Sequence, residues 1–174
     1  MATTEELELN PADVVVHGNA AGFLQEITSG KHHLRADEPV SAGGDDAAPG
    51  PYDYLLIGLG ACTSMTIGLY ARKRNWPLED ITVALRHSRI HAKDCAECET
   101  ENGMLDRIDV EVGLAGALTA EQRAKLMEIA GKCPVHRTLT SEINIRLHAA
   151  ANPITPSAAV AKNSSANFET RKEN

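Results

Sequence analysis

Two cysteines stand where a thiol could do chemistry. Cys62 lies in the run Gly60-Ala61-Cys62-Thr63-Ser64-Met65-Thr66, and Cys133 lies in Lys132-Cys133-Pro134-Val135-His136-Arg137. A thiolate is a nucleophile, and two thiols that meet can form and release a disulfide. The pair is 71 positions apart, so only the fold can bring them together. Taken singly, each has a packing role open to it, because free cysteine is among the most buried residue types. A mid-helix thiol gains little from the helix dipole, so a reactive Cys62 needs a nearby cation. A second pattern, Cys95-Ala96-Glu97-Cys98, has CxxC spacing. It sits in a polar loop and not at a helix opening, unlike a thioredoxin-type site. Half of a zinc site, with His87 or His91 as further ligands, and plain surface cysteines both stay open for it.

The elements around these residues follow from patterning. Val14–His17, Leu24–Thr28 and His32–Asp37 read as short strands separated by turn residues such as Gly18, Asn19 and Gly22. In the third, alternation puts His32, Leu34 and Ala36 on one face and His33, Arg35 and Asp37 on the other. A loop follows from Glu38 to Gly50. Pro51 then suits the first turn of a helix, where a missing N–H costs nothing, and Asp53 suits its dipole. That helix runs to about Asn75, ahead of Trp76-Pro77, and its Leu55–Ala71 segment is apolar or small nearly all round. This predicts a helix buried on most sides, with Gly58, Gly60 and Gly68 marking close approach of another backbone.

Ile81–His91 and Asp106–Gly113 read as a strand pair. Thr119 and Gln122 form a capping box opening a helix over about 120–132, with Leu126, Ile129 and Ala130 on its apolar face. It stops near Cys133-Pro134, because the residue before a proline disfavours the helical region. A short helical or turn segment, Val135–Leu139, leads to a last strand, Ile143–Leu147. Segregated strands and helices indicate an α+β fold with mostly antiparallel sheets. The expected organisation is an acidic segment at 1–13, a folded domain at 14–148 and a disordered tail at 149–174, rich in Ala, Ser, Asn and Pro.

The chain carries 17 Lys+Arg against 24 Asp+Glu, for a net charge of −7. This opposes capture of nucleic acid or an anionic membrane surface. Aromatics make up only 3% of residues, too few for stacking platforms on single-stranded nucleic acid. No basic region followed by an apolar run opens the sequence, and four cysteines without one point to a reducing, cytoplasmic location.

The stretch from His32-His33-Leu34-Arg35-Ala36-Asp37-Glu38-Pro39 through Gly43-Gly44, Gly50-Pro51-Tyr52-Asp53-Tyr54 and Gly60-Ala61-Cys62-Thr63, followed later by Ala130-Gly131-Lys132-Cys133-Pro134, resembles the OsmC-like superfamily. That superfamily includes osmotically inducible protein C and the organic hydroperoxide resistance proteins. This chain resembles a subgroup outside these two. The resemblance implies an intertwined homodimer, with mostly antiparallel sheets wrapped around long buried helices and the thiols at the interface. It implies that Cys62 attacks an organic hydroperoxide and that Cys133 resolves the sulfenic acid to a disulfide, which an external dithiol reduces. No metal or organic cofactor is implied. In the best-understood members an arginine near the N-terminal strands activates the first thiolate, and a glutamate ten positions before the cysteine orients it. Here residues 14–28 contain no arginine, and the glutamate position is Tyr52. Arg35 or Arg137 is the candidate cation, and Asp53 the candidate orienting acid. Arg35 reads equally as a solvated strand charge, and Asp53 as a plain helix-dipole acid. His32 and Asp37 lie in the matching segment and could lie near the site, though His32 reads first as a strand histidine bonded to backbone. His136 could raise the reactivity of Cys133 or cap the preceding helix. The competing class is a non-catalytic dimer of the same fold, a small-molecule or metal binding module or redox sensor.

Overall fold

A computed structural model describes residues 13–96, 102–151 and 154. The acidic N-terminal segment, Cys98 and most of the tail lie outside them. The chain forms two compact units, one reaching Pro51 and resuming at Leu147, the other spanning Tyr52–Arg146.

The first unit is a three-stranded antiparallel sheet, β1 (Val14–His17), β2 (Gln25–Ser29) and β3 (His32–Ala36), in the order β1-β2-β3. The register sets Val16, Ile27 and Leu34 side by side on one face, and His17, Glu26 and Arg35 on the other. The expected alternation of β3 is thus present. Asp37 follows, buried, and its carboxylate accepts N–H bonds from Glu38 (2.9 Å), Asp45 (3.2 Å) and Ala47 (3.0 Å). These bonds gather the loop after β3 around one side chain. The loop also needs glycine at position 44, where a Cβ would lie 2.0 Å from the Glu38 carbonyl oxygen.

The Ala47 N–H leads the interactions that hold the Asp37 carboxyl below its ordinary value of 3.8, against an opposing push from burial. A carboxylate lowered by folding contributes stability that is present above its ordinary value and lost as pH falls below it. Asp37→Asn should therefore flatten the acid end of the stability profile. Urea midpoints taken from about pH 6 down to about pH 3 check this, and equal losses in wild type and variant would count against it.

The second unit holds α1 (Pro51–Arg74) from Tyr52 onward, followed by the hairpin strands β4 (Leu78–His91) and β5 (Met104–Gly116), then α2 (Ala120–Ala130) and α3 (Pro134–Leu139). β4 and β5 pair antiparallel along their whole length, from Leu78 opposite Gly116 to His91 opposite Met104. Successive contacts of α1 with β4 run Tyr52–His87, Gly60–Leu85 and Gly68–Ile81, so helix and strand are antiparallel. The expected close backbone is not what faces these glycines: a Cβ at Gly60 would sit 2.7 Å from the Leu85 side-chain atom Cδ1, one at Gly68 would meet the Ile81 and Arg72 side chains, and Gly58 faces open space in this chain. Ile67 and Ala71 of α1 pack with Leu126 and Ala130 of α2, and Trp76, Leu78 and Ile81 close over them. The capping box forms as expected: Thr119 Oγ1 accepts from the Gln122 N–H, and Gln122 Oε1 accepts from the Thr119 N–H.

The antiparallel α+β class matches the sequence reading, and three local expectations change. Both hairpin strands extend beyond their predicted ends, because Leu78 and Leu114 join the core and pairing continues to them. Ile143–Leu147 forms no strand: Ile145 and Leu147 are 80% and 94% exposed, and among the described residues no strand pairs with them. Finally, α1 buries one face only. Leu59, Gly60, Thr63, Ile67 and Ala71 are covered, whereas Ile57 and Met65 are 52% and 71% exposed. A single hairpin and one short helix cover only one side of a cylinder of this length. By length and composition α1 could also cross a membrane, a property that core helices share.

Candidate functional site: a buried thiol pair

Cys62 projects from the middle of α1, and Cys133 caps α3 at the end of the chain reversal after α2. The reversal has a local cause. α2 ends at Ala130, the Lys132 and Cys133 N–H groups still bond back to Ile129 and Ala130, and Pro134 starts the next turn. Since Leu126 and Ala130 are anchored on Ile67 and Ala71, Cys133 is delivered to the same side of α1 as Thr63.

The two thiols are neighbours, close enough for the Cys62 side chain to lower the Cys133 thiol. Cys133 Sγ accepts hydrogen bonds from Thr63 Oγ1 at 3.5 Å and from the His136 N–H at 3.2 Å. Both thiols are free, Cys62 half-buried and Cys133 with no exposed surface. Burial pushes the Cys133 thiol up, but the hydrogen bonds from Thr63, His136, Cys62 and Val135 outweigh it and hold the thiol below its ordinary value. Donors aimed at a sulfur favour its thiolate form.

The other candidates are placed differently. Arg35 belongs to the first unit, where its Nε pairs with Glu26 Oε1 at 3.1 Å across the β2–β3 ladder. Arg137 is exposed on α3, lining a surface cleft with Pro134, Thr138 and Ser141. Asp53 sits in the first turn of α1 and lines a cleft of about 430 Å³ with Leu56, Gly60, Ala61, Ser64 and Val83. Cys62 does not line that cleft. Tyr52, at the position where a glutamate was the family expectation, stacks on His87 with ring centroids 4.6 Å apart, and His87 Nε2 bonds Asp106 Oδ1 at 2.9 Å. His136 serves Cys133 through its backbone N–H, a group that most residue types would supply. His32 is an exposed strand residue.

Cys95 is half-buried and disulfide-bonded, a state in which its sulfur is no thiolate ligand; Cys98 lies outside the described residues. His91 Nδ1 accepts the Lys93 N–H, and His87 is taken up by Asp106. Among the described residues, no group of three or more His, Cys, Asp or Glu side chains could hold a metal.

Thr63 was absent from the sequence-level candidates. Its signal was a hydroxyl inside the stripe Leu59, Thr63, Ile67, Ala71, which repeats every four residues and is otherwise apolar. A polar group on such a buried stripe must find a partner.

The family described as OsmC-like protein matches residues 43–148. Among solved structures, an OsmC-like protein from Mycoplasma pneumoniae is 21% identical with a TM-score of 0.58, covering 73% of this chain and 85% of its own. An organic hydroperoxide resistance protein from Legionella pneumophila is 22% identical with a TM-score of 0.54, covering 73% and 87%. The organic hydroperoxide resistance protein OhrB of Bacillus subtilis is 20% identical with a TM-score of 0.51, covering 73% and 88%. At these identities the likeness is one of fold. No curated protein matches the chain.

Proposed function

The chain belongs to the OsmC-like protein family, and from that premise we propose that it reduces organic hydroperoxides through Cys62 and Cys133. The observation that carries this reading is the neighbourhood of the two thiols, with Thr63 Oγ1 and the His136 N–H both donating to Cys133 Sγ. The names of two structural neighbours, organic hydroperoxide resistance proteins, support the substrate class.

In this mechanism the Cys62 thiolate attacks one peroxide oxygen and the O–O bond breaks. The alcohol leaves with a proton, and Cys62 becomes a sulfenic acid. The Cys133 thiolate then attacks the Cys62 sulfur, water departs, and a disulfide joins the pair. An external dithiol returns two electrons and two protons. The cation that favours the Cys62 thiolate is Arg35 or Arg137, with Asp53 as the orienting acid. Losing the activating charge raises the thiol pKa. Arg35→Ala and Arg137→Ala therefore separate the candidates through the pH dependence of Cys62 alkylation.

The working form is a homodimer. The exposed side of α1, with Ile57, Met65 and Leu69, and the unpaired Ile143–Leu147 segment supply apolar surface for a second copy. Analytical ultracentrifugation at micromolar concentration should give the dimer mass, and Met65→Glu should shift the chain toward monomer. A stable folded wild-type monomer sinks the dimer.

The test of the function is NADPH-coupled turnover of an alkyl hydroperoxide by the wild type, with several dithiol donors compared. A second reading, a redox sensor that oxidises once without turning over, is favoured by the Arg35–Glu26 ion pair, which engages a candidate activating cation. Sustained turnover supports the peroxidase. A single stoichiometric oxidation with every donor supports the sensor.

A further inference from the structure

The two sulfurs are not equivalent toward an incoming reductant. Cys133 has no exposed surface, and Cys62 is half-buried on α1. Thiol–disulfide exchange proceeds by attack of a thiolate on one sulfur while the other departs. Cys62 keeps part of its surface open to a small thiol. Attack on Cys133 would have to come through the packed region behind it, where Thr63 and the start of α3 lie. The departing groups also differ. A sulfur leaving as a buried anion is costly unless donors receive it. Thr63 Oγ1 and the His136 N–H are already aimed at Cys133 Sγ in the reduced pair.

We propose that the Cys62–Cys133 disulfide is opened from one side only, the external thiolate attacking Cys62 Sγ and Cys133 Sγ leaving as a thiolate received by the Thr63 hydroxyl and the His136 N–H. Thr63 is then a positioning residue for reduction. The inference rests on reading the two cysteines as a redox pair, and it names the order of bond changes. The reductant sulfur bonds to Cys62 Sγ as the Cys62–Cys133 bond breaks. With a dithiol, its second thiolate displaces Cys62 from the mixed disulfide, forming the reductant's own disulfide. The two protons released by the dithiol end on Cys62 and Cys133.

The experiment uses the whole chain. Diamide forms the disulfide, taking up its two electrons and two protons, so no hydroperoxide is needed. Glutathione, which carries one thiol, is then added, the reaction is quenched in acid, free thiols are capped with N-ethylmaleimide, and the peptides are mapped. Glutathione is expected on Cys62, with the maleimide on Cys133. Glutathione on Cys133, an even division between the two, or failure of diamide to join them overturns the proposal.

Thr63→Val should slow reduction by dithiothreitol at least about threefold, because a leaving thiol of higher pKa departs more slowly. Thr63→Ser should stay near wild type. In a Cys62→Ser background, Thr63→Val should also move the thiolate absorbance of Cys133 to higher pH, a readout that mere loss of packing would not shift and serine would not rescue. An unchanged rate and an unchanged midpoint refute the role of Thr63. If Thr63→Val does not fold, the wild-type peptide map still decides the direction of attack. Wild type that consumes no hydroperoxide yet places glutathione on Cys62 overturns the peroxidase reading and leaves this inference standing.

Discussion

The expected result of Cys62→Ser is loss of alkyl hydroperoxide turnover by on the order of 10³-fold or more. Serine is nearly isosteric, but its hydroxyl is far less ionised near neutral pH, and attack on an O–O bond needs the anion. Cys133→Ser should behave differently. The first peroxide is still consumed, the sulfenic acid waits for an external thiol, and sulfinic acid accumulates on repeated cycles. Stopped-flow peroxide consumption, followed by intact mass measurement, separates the two variants. The peroxidase assignment fails if Cys62→Ser retains the wild-type rate, or if Cys133→Ser loses the first turnover along with the later ones.

A second large effect is expected in the core of the second unit. Leu126 has no exposed surface and packs with Ile67, Ala71 and Ala130 at the centre of the second unit. Leu126→Ala should cost about 3 kcal/mol, from lost transfer free energy and from the cavity left behind. It should also slow disulfide formation by diamide. Leu126 and Ala130 seat α2 on α1, and the Cys133 N–H hangs from the Ala130 carbonyl at 3.3 Å. Loosening that seat moves Cys133 relative to Thr63. Urea unfolding and the rate of thiol loss, measured on the same sample, test both halves. A cost below about 1 kcal/mol removes Leu126 as the anchor, and an unchanged rate removes the link from packing to the thiol pair.

The comparison of α1 with α2 explains how far local chemistry reaches. Pro51, the apolar run and the break before Pro77 placed α1 almost to the residue, and the Thr119–Gln122 capping box started α2 where it is observed. Each signal acts within one turn of chain, so it is legible in a short window. Alternation likewise found the β4–β5 pair but ended it early, since its last residues are held by a core that alternation does not describe. Ile143–Leu147 shows the opposite failure. The segment has strand-like alternation, yet a strand needs a neighbour to take its N–H and C=O groups, and among the described residues none pairs with it.

The candidate site divides along the same line. Residue type and family motif singled out Cys62 and Cys133, and no local rule could bring their segments together across 71 positions. The packing of Leu126 and Ala130 on Ile67 and Ala71 did that. Nor could spacing reveal that the donors converge on Cys133, because one is the hydroxyl of Thr63 on another helix and another is a backbone N–H present at nearly every residue. Asp37 is the same case, a carboxylate whose partners are the N–H groups of Glu38, Asp45 and Ala47. Side-chain identity and periodicity are written along the chain. Which backbone donors face which buried acceptor depends on how distant segments pack, and only the tertiary structure decides it.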